Sequence, residues 1–267
     1  MKNFKPRGLT NAVIFSALFS KPKYAAHFLN STDLFNVDEK DLKTESKEFY
    51  ENVNCKVSNM DVVMHIGNKN ELINLEMQKR NTGYDIMSRL MFYLSRLISS
   101  SEERGDSYKC NKSTVVAIFD FTYFKDEKCI RTFKMKDEYA NILEHNSIIV
   151  IELTKAKFCN KMNLKKWLEV FKIEDIENHQ EEDEFMKDVI EEIKKFNADE
   201  QRQIDIIRQE VYEKDRLTEL EYAKKQGIER GITEATLMIA KNMKAKGLAN
   251  SIISEMTGLD ENTIKDL

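Results

Sequence analysis

Apolar and polar positions change their spacing several times along this chain, and each change marks an element. Residues 60–78 read M-D-V-V-M-H-I-G-N-K-N-E-L-I-N-L-E-M-Q. Val62, Val63, Met64 and Ile66 form one β-favouring run, and Leu72, Ile73 and Leu75 form another. Between them, Gly67-Asn68-Lys69-Asn70 is turn chemistry, because Gly and Asn tolerate positive φ at low cost. The pattern predicts two short strands joined by a tight turn.

Upstream, Leu9, Val13, Phe15, Leu18, Phe19 and Phe28 recur at roughly helical spacing. They predict a helix over 9–30 that Pro22 breaks or restarts. Residues 31–59 are polar, and Leu34–Val37 and Ser46–Tyr50 compete for a first strand. Downstream, Ile86, Leu90, Tyr93, Leu94, Leu97 and Ile98 make one helical stripe within 79–101. The runs Thr114–Phe124 and Ser147–Leu153 are apolar on both faces, as buried strands of an α/β sheet are. Trp167 and Phe171 read as packing anchors. Dense charge from Ile176 to about Ala223 predicts one or two long solvated helices. A helix over 235–246, a break at Gly247-Leu248 and two shorter helical pieces give the outline of a helix-turn-helix, or of a small packing hairpin. The expected organisation is a domain over 1–175, a charged helical linker over 176–225 and a helical tail over 226–267.

Composition narrows this picture. A chain of 267 residues holds one sizeable core plus an appendage. Apolar content of 41% beside 33% charge, with 2 Pro and 8 Gly, suits a globular, helix-rich protein. The net charge of −4 excludes a chain-wide basic surface, so any nucleic-acid contact must be local. Cys55, Cys110, Cys129 and Cys159 include no C-x-x-C pair, which suggests free thiols in a reducing cytoplasm. The M-K-N-F-K-P-R start is no secretory signal, and no apolar run approaches the roughly 18 residues that span a membrane.

The hairpin pattern implies chemistry. With Asn68 and Lys69 at the tip, facing residues sum to 137, and Asp61 lies opposite Glu76. Facing side chains project to one side with Cα atoms about 4.5–5.5 Å apart. Alternation adds Gln78 to that side. Two carboxylates so close repel, and magnesium, which takes hard oxygen ligands, would hold them together. Residues 79–112 carry seven Lys/Arg against four Asp/Glu, so Lys79, Arg80, Arg89 and Arg96 read either as phosphate contacts or as the basic edge of an amphipathic helix. Glu45, Glu48 and Glu51 read as solvated charge, Asp120 and Glu152 as structural acids, and His27 as a packed or surface histidine.

Asp61 with Glu76-Met77-Gln78 resembles the Asp…Glu-x-Lys core of the PD-(D/E)XK nucleases, with Gln78 where that pattern has Lys. The N-L-E-M-Q ending is similar to the Rpn-type recombination-promoting nucleases, also labelled PD-(D/E)XK family transposases. So are the R-x-x-x-Y helix at Arg89–Tyr93, the Gly105–Tyr108 spacer, the runs near Val116–Phe124 and Ile151–Leu153, and the Gly227–Ile232 repeat. Family members usually carry an acid near the first helix, where this chain has Asn11-Ala12-Val13-Ile14-Phe15.

The resemblance implies a restriction-endonuclease-like α/β core, a mixed sheet flanked by helices, with a helical C-terminal extension. It implies a metal-dependent DNA endonuclease using Mg²⁺, with Mn²⁺ as a substitute. Asp61, Glu76 and the Met77 carbonyl would bind the metal and Gln78 would orient water. DNA would be the partner, with self-association through the C-terminal helices and no membrane. The alternatives are a catalytically weak or inactive nuclease-fold module for binding or assembly, and a nuclease acting on RNA.

Overall fold

The computed structural model describes residues 4–45, 60–67, 71–81, 85–100 and 112–267. The turn tip at 68–70, Ser46–Tyr50, Glu48, Glu51, Cys55, Cys110 and Gly105–Tyr108 lie outside the described residues. Two compact units form, Met1–Ile206 and Ile207–Leu267.

In the first unit, six strands make one mixed sheet: β1 (Leu42–Glu45), β2 (Val62–Ile66), β3 (Glu71–Gln78), β4 (Lys112–Phe119), β5 (Ile130–Lys136) and β6 (Ile142–Glu152). Their order is β1-β2-β3-β4-β6-β5. The β1–β2, β2–β3 and β5–β6 pairs are antiparallel, and β3–β4 and β4–β6 are parallel. The β2–β3 ladder runs from Val62 opposite Leu75 to Ile66 opposite Glu71, the register expected from the sequence.

Period 2 splits the strand residues between two cores. Val62, Met64, Ile73, Leu75, Met77, Val116 and Ile118 join the larger one, under α1 (Ala12–Phe19), α2 (Pro22–Ser31), α4 (Met162–Phe171) and α5 (Glu184–Ala198). Val63, Leu72, Val115, Ala117 and Phe119 join the other, under α3 (Ile86–Ser100). Asp85 starts α3 by accepting the Ser88 amide at 3.1 Å, and the stripe from Ile86 to Leu97 is buried as its spacing predicts. Pro22 is the first residue of α2, where its missing N–H costs nothing. Trp167 is fully buried against Phe19 and Phe28, as the anchor reading expects.

Several expectations change. Of the described segments, the first strand is Leu42–Glu45, not Leu34–Val37; L-K-T-E is extended because it pairs with β2, a tertiary cause that propensity does not carry. The apolar run from Thr114 leaves the sheet after Phe119, and Asp120–Phe124 bends away. β5 gave no sequence signal because it is an edge strand rich in Arg and Lys, which blunt an open edge. In the stretch read as a charged linker, α5 buries Met186, Val189, Ile190, Ile193 and Phe196 in the larger core. One apolar stripe is enough to dock a helix whose other faces are charged.

The second unit takes up α6 (Glu200–Ala245) from Ile207, followed by α7 (Asn250–Thr257) and α8 (Glu261–Lys265). The helix expected at 235–246 is the last part of α6. Ala240, Ile253 and Ile264 form a small core, and Gly258 turns the chain at φ +76°. Gly227 and Gly231 lie within α6 with open space where a Cβ would be, so they make no close helix approach among the described residues. No helix among the described residues is long and apolar enough to cross a membrane.

Candidate metal and nuclease site

The register that pairs Val62 with Leu75 carries one step further, to Asp61 beside Glu76. Two hydrogen bonds close that step. The Asp61 amide donates to Glu76 Oε1 at 3.0 Å, and the Met77 amide donates to Asp61 Oδ2 at 2.8 Å. Both carboxylates therefore project from one sheet face, the face that α3 covers. Ser16 on α1 donates its hydroxyl to the Asp61 carbonyl at 3.2 Å, tying the start of β2 to the first helix.

Glu76 is 2% exposed and Asn74, two residues earlier on the same face, is fully buried. Asn74 Nδ2 donates to Glu76 Oε1 at 3.0 Å, and Gln78 Nε2 donates to Glu76 Oε2 at 3.2 Å. Asn74 Oδ1 is a buried acceptor with no hydrogen-bond donor among the described residues. The Glu76 carboxyl titrates well above the usual carboxylate range. Burial is the main cause and the Asp61 charge adds to it, while Asn74, the Asp61 amide and Arg89 pull the other way. Arg89, in the first turn of α3, donates from Nη2 to Gln78 Oε1.

The remaining residues singled out in the sequence fall elsewhere. Lys79 and Arg80 are exposed beyond the end of β3, and the Lys79 charge acts on Asp120. Asp120 follows β4 in the bend, its amide donating to the Gln78 carbonyl at 3.0 Å. Arg96 lies two turns along α3 from Arg89, 5.9 Å from the Phe92 ring. Glu152 is buried, accepting the Tyr123 and Phe124 amides and pairing with Lys155 at 2.6 Å, a structural arrangement. Asn11, at the stretch where family members carry an acid, caps α1 by accepting the Val13 and Ile14 amides. Asn performs that task as well as Asp. Sequence reasoning missed Asn74 and Ser16. Alternation back from Glu76 would have found Asn74; nothing local marks Ser16.

The donors suit a small hard divalent cation. Two carboxylates share one face, one of them buried among neutral donors and raised by its neighbour's charge, which a cation would relieve. Among the described residues no cluster of three or more His, Cys, Asp or Glu side chains forms, and the candidate donors described there are two acids with backbone or amide oxygen.

A family model described as PD-(D/E)XK nuclease family transposase matches residues 14–223. That span takes in the whole sheet, and the mixed sheet with its flanking helices is the restriction-endonuclease-like α/β fold expected from the sequence. No curated protein and no solved structure matches the chain.

Proposed function

The chain belongs to the PD-(D/E)XK nuclease family transposases, and on that premise we propose that it is a metal-dependent DNA endonuclease. The observation that carries the reading is the paired carboxylate geometry, with Asp61 and Glu76 held on one face by reciprocal bonds between the hairpin arms.

Asp61 and Glu76 would hold Mg²⁺ or Mn²⁺, helped by the Met77 carbonyl. In a strand a residue's amide and carbonyl face the same side, and the Met77 amide faces Asp61. When bound, such an ion lowers the pKa of a bound water and stabilises charge on a phosphodiester's oxygens. The protein's part is to hold both acids in register and to orient water beside Gln78. Of the four basic residues, Lys79, Arg80 and Arg96 would give sequence-independent affinity through phosphates, while Arg89 is engaged with Gln78. Exposed Ile228, Ile232 and Ile239 on α6 support self-association as a further part of the reading.

The test is cleavage of supercoiled plasmid, linear and single-stranded DNA in Mg²⁺ or Mn²⁺, with Asp61→Asn and Glu76→Gln alongside. Loss of at least about a hundredfold in rate, ~2.7 kcal/mol, is expected for each folded variant. Parent-like cutting by either variant removes the assignment. A non-catalytic binding module is the second reading, favoured by Gln78 standing where the nuclease pattern has a cation. Absence of any cation-induced rise in melting temperature in the parent would select it.

A further inference from the structure

We propose that Arg89 is a positioning residue of this site, fixing the Gln78 amide toward Glu76 and delivering from α3 the positive charge that the Glu-x-Gln ending lacks. The inference rests on the nuclease reading above and adds a named source for its missing cation.

The three side chains form a directed chain. Arg89 Nη2 donates to Gln78 Oε1, and Gln78 Nε2 donates to Glu76 Oε2 at 3.2 Å. A guanidinium has donors and no acceptor, so it selects the oxygen end of the amide. Flipping the amide would set NH₂ against guanidinium and carbonyl oxygen against carboxylate, two repulsive contacts in place of two attractive ones. Arg89 therefore fixes which end of Gln78 Glu76 meets. The guanidinium carbon lies 6.0 Å from the ring centroid of Tyr93, one turn along α3, and Tyr93 is largely buried. The cation is thus steadied by a packed aromatic face. Its charge also reaches Glu76 and favours the ionised carboxylate.

Gln78 alone is neutral and cannot supply a lysine's charge. With Arg89 attached, the amide becomes the polarised middle of a cation–amide–carboxylate chain. A purely phosphate-binding role for Lys79, Arg80 and Arg96 distinguishes them from Arg89, which bonds Gln78 and whose charge reaches Glu76.

The experiment compares the parent with Arg89→Gln, Gln78→Lys and the double variant carrying both, each checked by thermal melt. Arg89→Met replaces Arg89→Gln if that variant does not fold. In the metal-free protein labelled with ¹⁵N at glutamine, the Gln78 side-chain amide pair is assigned by its loss in Gln78→Lys. In the parent it should stand apart from exposed amides, and in Arg89→Gln it should move toward them. DNA affinity without metal, at fixed salt, should change less than about twofold in Arg89→Gln, while kcat falls about tenfold or more with KM retained. The double variant should regain most of that loss, because its cation stands on β3 itself.

An unmoved Gln78 amide pair overturns the proposal. So does an Arg89→Gln variant whose whole defect is weaker, less salt-dependent DNA binding, which is the signature of a phosphate contact. A parent that cuts no DNA removes the nuclease reading instead, and the metal-free amide signals then decide the Arg89–Gln78 contact without it.

Discussion

The Asp61 amide donates to Glu76 Oε1 at 3.0 Å while Asp61 Oδ2 accepts the Met77 amide at 2.8 Å, so each arm of the hairpin holds the other's acid. The protein alone thus fixes two carboxylates side by side, at the cost of electrostatic repulsion between them.

That cost has a pH dependence. Glu76 is raised above its ordinary value by burial and then by Asp61. A carboxyl raised on folding contributes stability that is complete below the unfolded pKa and lost as pH rises through the folded one. The metal-free melting temperature should therefore fall as pH rises out of the ordinary Glu range. Glu76→Gln should flatten that fall and melt about 2–4 °C higher near pH 8, the response of a domain this size to ~1 kcal/mol. Thermal melts in chelator across pH check this; identical profiles for parent and variant refute it.

Asn74 is the second prediction. Its amide donates to Glu76 at 3.0 Å, and its own oxygen is buried without a donor among the described residues. Asn74→Leu removes a hydrogen bond to the Glu76 carboxyl, worth about 0.5–1.5 kcal/mol with that group protonated and about 1.5–3 kcal/mol with it ionised, and an unsatisfied acceptor together. Mn²⁺ affinity at neutral pH should weaken about tenfold or more, with little loss of metal-free stability. Calorimetric titration beside a urea melt reads both quantities.

His27 gives a prediction remote from the site. Its Nδ1 accepts the Trp167 indole N–H at 3.0 Å, and its ring stacks 3.7 Å from Phe185. Burial lowers its pKa; Asp183 raises it and Lys166 lowers it further. A histidine depressed on folding contributes stability present above its unfolded pKa and lost as pH falls through the folded value. Trp167 is the single tryptophan, so its fluorescence should report loss of the contact as pH falls below the ordinary imidazole range. His27→Asn keeps an acceptor that does not titrate and should remove the transition.

Lys155 and Glu152 form the fourth case. They are 4% and 1% exposed and 2.6 Å apart, with Lys155 also donating to the Phe124 carbonyl at 2.8 Å. Lys155→Met strands a buried carboxylate and should cost about 3–5 kcal/mol in urea unfolding. Adding Glu152→Gln should recover most of it. A single variant as stable as the parent would show that this pair does not hold the bend after β4.

Legibility of the fold followed the range of the forces involved. The α3 stripe, the β2–β3 register and the strand cores at β4 and β6 come from periods of 3.6 and 2, which are local and written in neighbouring residues. β1 and β5 were not visible because their extended form is imposed by pairing rather than by L-K-T-E or I-R-T-F-K-M-K themselves. The docking of α5 was hidden because one apolar stripe was diluted by surrounding charge.

The sequence by itself determined that Asp61 and Glu76 face each other, since a turn tip at Asn68-Lys69 fixes every facing pair of the hairpin. Only the tertiary structure decided what surrounds them. Ser16 reaches Asp61 across 45 residues and Arg89 reaches Gln78 from a separate helix, contacts set by how α1 and α3 pack on opposite faces of the sheet. No local period encodes such meetings, because helix-on-sheet packing, not neighbouring residues, sets the distance between those side chains.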